Sequence, residues 1–73
     1  MDELKTVYDM ITRIWKLYRK YGSRTLENEE WEELISTGQQ FHEEYRQQDL
    51  NLELLFRDLF TALQNYYERL KTE

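Results

Sequence analysis

The sequence predicts an all-α protein, a three-helix bundle with helices at about residues 2–21, 28–47 and 51–71. Two observations carry this reading. Apolar residues recur at alternating spacings of three and four, the period of a helix with one buried face. The chain has no Pro and only two Gly, so obligatory breaks are few, and the polar stretches 22–27 and 47–51 are the natural places for turns.

In the first segment, Leu4, Val7, Ile11, Ile14, Tyr18 and Tyr21 form a continuous seam expected to face inward. Tyr8 and Trp15 widen it on one flank, Met10 and Leu17 on the other. Lys5, Asp9, Thr12, Arg13, Lys16, Arg19 and Lys20 occupy the outward positions. Gly22 stands where a left-handed C-terminal cap is wanted.

In the second segment, Asn28 followed by Glu29 and Glu30 reads as an N-cap with anions in the first turn. Thr25 is an alternative, earlier start. Trp31, Leu34, Ile35, Phe41, His42 and Tyr45 make the inner stripe, and Gly38 falls within it. Glycine there costs about 1 kcal/mol relative to Ala, so it either admits the close approach of another group or is a tolerated weak point.

The third segment carries two apolar stripes. The first is Leu52, Leu55, Leu59, Ala62, Leu63, Tyr66 and Leu70; the second is Phe56, Phe60, Leu63 and Tyr67. An arc this broad suits a helix touched from two sides. Asp49 or Asn51 could cap the helix after a turn at 47–51. Yet Gly38, Phe41, Tyr45, Gln48, Leu52, Leu55 and Leu59 keep one unbroken rhythm across that stretch. A single helix over 28–72 that dimerises is therefore the alternative architecture.

A single domain of 73 residues buries only about 60% of its unfolded surface. It has no Cys for a disulfide or thiolate metal site, and one His. The opening Met1-Asp2-Glu3-Leu4-Lys5 lacks the form of a secretory leader, and the longest apolar run is Leu54-Leu55-Phe56, so the expectation is a cytoplasmic protein without a membrane span. The net charge of -5 disfavours direct nucleic-acid binding. Its distribution is uneven: +3 over residues 1–24, -6 over 25–48 and -2 over 49–73.

Between Leu4 and Leu70 lie 27 large apolar side chains. That is about what the inward positions of three 20-residue helices hold, so the number alone requires no partner. The contiguity of the flanks does suggest one. Met10 and Leu17 on the first helix, with Leu54, Phe56, Phe60 and Tyr67 on the third, are the expected contacts of a homo-oligomer, dimeric or higher.

Basic residues interleaved with aromatics follow Ile14. Lys16, Arg19, Lys20 and Arg24 could hold an anion, with Tyr18 and Tyr21 stacking on a nucleotide. The structural alternative is that the rings point inward while the cations complement the helix dipole. Glu29, Glu30, Glu32 and Glu33 could form an acidic partner face, or simply a solvated helix start. His42, without a second His or Cys, reads as a packed residue. Neither a Gly-rich phosphate loop nor an oxyanion-hole signature accompanies the Ser and Thr residues, so no catalytic residues, metal or cofactor are expected.

Ile14-Trp15-Lys16-Leu17-Tyr18-Arg19-Lys20-Tyr21 and Asn28-Glu29-Glu30-Trp31-Glu32-Glu33-Leu34 resemble segments of short helical proteins from Firmicute genomes and their phages. The resemblance covers the first half of the chain, and implies at most a small protein that inhibits or sequesters a host component. From the residues themselves, the expected function is a non-enzymatic, self-associating module acting through protein–protein contacts. Two alternatives are an oligomeric pocket that sequesters an anionic nucleotide and an acidic inhibitor of a nucleic-acid-binding host protein.

Overall fold

The computed structural model describes residues 3–72, which form three helices: α1 (Glu3–Tyr21), α2 (Asn28–Gln48) and α3 (Leu50–Thr72). The expected start at Asp2 lies outside the described residues. The helices pack into an elongated bundle of 41 × 17 × 16 Å, with α3 lying against both others. α1 ends where expected: Gly22 adopts φ +75° and its amide donates to the Tyr18 carbonyl at 2.7 Å. α2 starts one residue earlier than the Asn28 cap. Glu27 is the N-cap, in a reciprocal capping box with Glu30, whose carboxylate accepts from the Glu27 amide at 3.1 Å.

The break between α2 and α3 is a single extended residue. Asp49 has φ -168° and ψ 141°. Its amide still closes α2 by donating to the Tyr45 carbonyl, while its carboxylate accepts from the amides of Asn51 and Leu52 at 3.1 and 3.3 Å. One side chain thus caps α3 at the point where the chain reverses, and the three-helix architecture holds in place of the continuous 28–72 helix.

The continuous rhythm does not survive this turn as a buried line. In α2 the buried positions are Leu34, Gly38 and Tyr45, as expected. In α3 they are Phe56, Phe60, Leu63 and Tyr67, a phase one residue later than the Leu52, Leu55, Leu59 line. α1 rotates similarly: Met10, Leu17 and Tyr21 are buried, Val7, Ile14 and Tyr18 half-buried, and Leu4 and Ile11 exposed. Met10, Leu17, Phe56, Phe60 and Tyr67, expected to contact a second copy, are therefore core residues of the protomer. Leu54 is half-buried. Both helices have apolar arcs wider than one contact can cover, so packing rather than periodicity selects the inner line.

Gly38 makes that selection at the α2–α3 contact. A methyl group added there would overlap the end of the Phe60 ring. The ring occupies the space a side chain would otherwise fill, which turns α3 so that its aromatic line is inside. Phe60 stacks on Phe56 at 5.7 Å between centroids, Phe56 meets Tyr45 at 5.3 Å, and Phe41 meets Phe56 edge-on at 6.3 Å. At the other end Tyr21 and Tyr67 meet edge-on at 6.4 Å. The Tyr67 hydroxyl donates to the Gly22 carbonyl at 2.9 Å, tying the α1–α2 loop to α3.

Gly38→Ala is expected to lower stability by about 1–3 kcal/mol, because overpacking outweighs the gain of about 1 kcal/mol in helix propensity. Urea unfolding followed by circular dichroism measures this, and combining Gly38→Ala with Phe60→Leu should recover part of the loss. Phe60→Asp is expected to unfold the protomer.

Candidate interaction surface

The basic end of α1 and the acidic start of α2, which the sequence leaves available to outside partners, engage each other. Lys20 pairs with Glu33, and Arg24 grips Glu30 through both guanidinium nitrogens, one at 2.8 Å. Tyr21 is buried, and its hydroxyl donates to Glu33 at 2.8 Å. Farther along, Arg13 meets Glu44 at 2.6 Å while its guanidinium lies 4.5 Å over the Phe41 ring. The Arg24 and Lys20 partners hold Glu30 and Glu33 below the ordinary carboxylate range, Glu30 down to about 2. Burial, reinforced for Tyr21 by Glu33, pushes the Tyr21 and Tyr67 phenols up to about 12.

This clamp separates the expected anion-binding group. Tyr21 is inside, Arg24 and Lys20 are occupied by carboxylates, and the Tyr18 hydroxyl is hydrogen-bonded with Ser23. Only Lys16 and Arg19 of that set remain on an open face without an ion pair among the described residues. The acidic face is likewise halved, with Glu29 and Glu32 turned to solvent and Glu30 and Glu33 engaged.

Two clefts flank the core. One, of about 330 Å³, is lined by Leu26, Asn28, Trp31, Tyr67, Glu68 and Lys71. The other, of about 210 Å³, lies between α2 and α3 over Phe56 and Phe60. His42 edges the second, its ring stacked on Phe56 and its Nε2 3.2 Å from a Glu53 carboxylate oxygen but out of line for a hydrogen bond. Among the described residues no group of His, Cys, Asp or Glu could hold a metal ion, and no helix is long and apolar enough to cross a membrane.

The unusual surface is the outer face of α1. Leu4, Tyr8, Ile11 and Trp15 are 83%, 70%, 53% and 54% exposed. Their spacings of four, three and four align them along one side of the helix. Single exposed apolar residues are ordinary, but these four present on the order of 500 Å² of contiguous apolar side chain, the scale of a functional patch. The patch continues toward α3 through ring contacts of Trp15 with Tyr18 at 6.1 Å and Tyr18 with Tyr66 at 5.8 Å. Lys5, Lys16 and Arg19 border its other side. Tyr8 and Trp15 are visible in the sequence as a flank of the seam; what periodicity does not reveal is that this flank, rather than Met10 and Leu17, stays outside.

No protein family matches this chain, and neither a curated protein nor a solved structure is detectably similar to it.

The titrating groups set both edges of the pH range. Glu30 and Glu33 are charged more readily folded than unfolded, so their contribution is present above about pH 4.5 and is lost as pH falls, for Glu30 toward 2. Tyr21 and Tyr67 favour the neutral phenol when folded, so theirs is full below pH 10 and is lost as pH rises through about 12. Melting temperature measured against pH should fall at both edges. Tyr67→Phe should flatten the alkaline fall and, by removing the Gly22 bond, lower stability at neutral pH by about 0.5–1.5 kcal/mol.

Proposed function

We propose that the chain is a non-enzymatic interaction module that associates with a second copy of itself through the outer face of α1. The observation that carries this reading is the exposed line of Leu4, Tyr8, Ile11 and Trp15 on a well-formed helix. The line is self-complementary. In an antiparallel pair Leu4 stands across from Trp15 of the partner subunit, and Tyr8 across from Ile11 of the partner subunit, so each large ring meets an aliphatic side chain. A stable interface takes about 800 Å² from each partner. The four residues supply more than half of that as apolar surface, and the exposed edges of Val7, Ile14 and Tyr18 adjoin them.

The helix dipoles favour the antiparallel arrangement, which opposes unlike ends of the two α1 helices, whereas parallel pairing sets like ends side by side. An acidic inhibitor is less well supported, because Glu30 and Glu33 are already taken by Arg24 and Lys20.

Light scattering and sedimentation equilibrium over a range of concentrations test the proposal. The wild type should show a reversible dimer. Trp15→Glu should raise the dissociation constant at least about 30-fold, the equivalent of about 2 kcal/mol at a central aromatic contact, while leaving helicity and melting of the protomer unchanged. A wild type that stays monomeric at high micromolar concentration would falsify it.

A further inference from the structure

We infer that the α1 pair carries two symmetric sites for a phosphate-rich anion, each composed of Lys5 from one subunit with Lys16 and Arg19 of the partner subunit. This rests on the self-association proposed above. Successive residues turn by about 100° around a helix, which places the two borders of the apolar line differently. One border, through Ile14 and Val7, faces α3. The other is Arg19, Thr12, Lys5 and Lys16, with all three cations exposed and unpaired among the described residues.

A two-fold axis that runs two helices antiparallel places the same border of each on the same side of the interface. Cations therefore meet cations. When Leu4 opposes Trp15 of the partner subunit, Lys5 is level with position 14 of the other chain. Lys16 of the partner subunit is then only about 3 Å farther along the axis, and Arg19 of the partner subunit about 7.5 Å, at 1.5 Å per residue. Both separations are within the reach of long, flexible side chains.

Among the described residues no carboxylate forms an ion pair with these three cations. Asp9 is level with the middle of the pair, between the two sites, and shares a recess with Arg13 and Glu44 beside α2. Glu3 lies on the α1 flank near the line of Tyr21 and Ile14, across the apolar stripe from the cations. Three cations thus converge at each end of the pair, beside Tyr8 of one subunit and Trp15 of the partner subunit. A multivalent phosphate offers the charge density and oxygen acceptors this arrangement calls for, and the two rings suit an aromatic group attached to it. The anion would bind the dimer and not the monomer, so pairing and anion binding reinforce each other.

Sedimentation equilibrium of the full chain in sodium tripolyphosphate, against sodium chloride at matched ionic strength, tests this, with a nucleoside triphosphate as a parallel arm. The dimer dissociation constant is expected to fall at least about ten-fold in excess tripolyphosphate. An equal effect of the nucleoside triphosphate would mean that phosphate alone is read, and a larger one that the rings take part; either accords with the proposal. The variant Lys5→Gln, Lys16→Gln, Arg19→Gln should dimerise in chloride at least as well as wild type and lose the response. A wild-type response no greater than that to chloride, or a triple variant that still responds, overturns the anion sites. A wild type that dimerises in neither salt overturns the self-association reading instead.

Discussion

The contact between Gly38 and the Phe60 ring sets the arrangement of the rest. A ring seated on bare backbone brings α2 and α3 closer than two ordinary side chains allow, and it fixes the rotation of α3 about its own axis. Once Phe60 is inside, Phe56, Leu63 and Tyr67 follow by helical geometry, and Leu55 and Ala62 face outward. Tyr67 then reaches the Gly22 carbonyl and the Tyr21 ring, which places the end of α1. The exposed line on α1 is thus a consequence of a contact made between the other two helices. A bundle this narrow has one central seam, and its occupants decide which flanks are left over.

Polar contacts refine this arrangement at one end. The +3 and -6 segments adjoin each other in sequence and fold into direct contact, with Lys20, Arg24 and Tyr21 holding Glu33 and Glu30. These pairs are mostly exposed, so each contributes modestly to stability. Their larger effect is geometric: they align α1 with α2 in antiparallel register and leave Lys5, Lys16 and Arg19 as the open cations. A charge asymmetry that reads in the sequence as two partner-seeking faces is mostly spent within the protomer.

Most helix ends were legible because they depend on local chemistry, although Glu27 rather than Asn28 caps α2 and the break at Asp49 stood beside a continuous-helix alternative. Gly22 supplies a positive φ, and Asp49 carries a side chain that caps the next helix. Helix phase was not legible, because it is a tertiary property. α1 has apolar residues around about half of its circumference, so several inner lines satisfy the same periodicity. The line expected inside, through Leu4 and Ile11, and the line expected outside, through Met10 and Leu17, differ by one residue. Only the volumes of the facing side chains separate them. Gly38 was the one sequence feature that bore on phase, and the open question was what approached it; the answer, Phe60, sits on the stripe expected to meet a second copy. The surface that did stay open was therefore found by elimination.

Burying aromatic residues in so small a bundle has a further consequence. Tyr45, Phe56, Phe60 and Tyr67 fill the seam, leaving no room for the second half of the α1 arc. A polar outer face on α1 would have resolved this at little cost, since the positions are at the surface and helix propensity there favours Lys, Glu or Gln over Tyr, Ile and Trp. Trp15 and Tyr8 instead stay more than half exposed, and the contact of Trp15 with the Tyr18 ring uses only part of its surface, so the protomer's packing gives little reason for their presence. The self-association proposed above would supply one. In that proposed pairing the cations along the same border would set the conditions of contact, because two such borders brought together repel unless something of opposite charge lies between them.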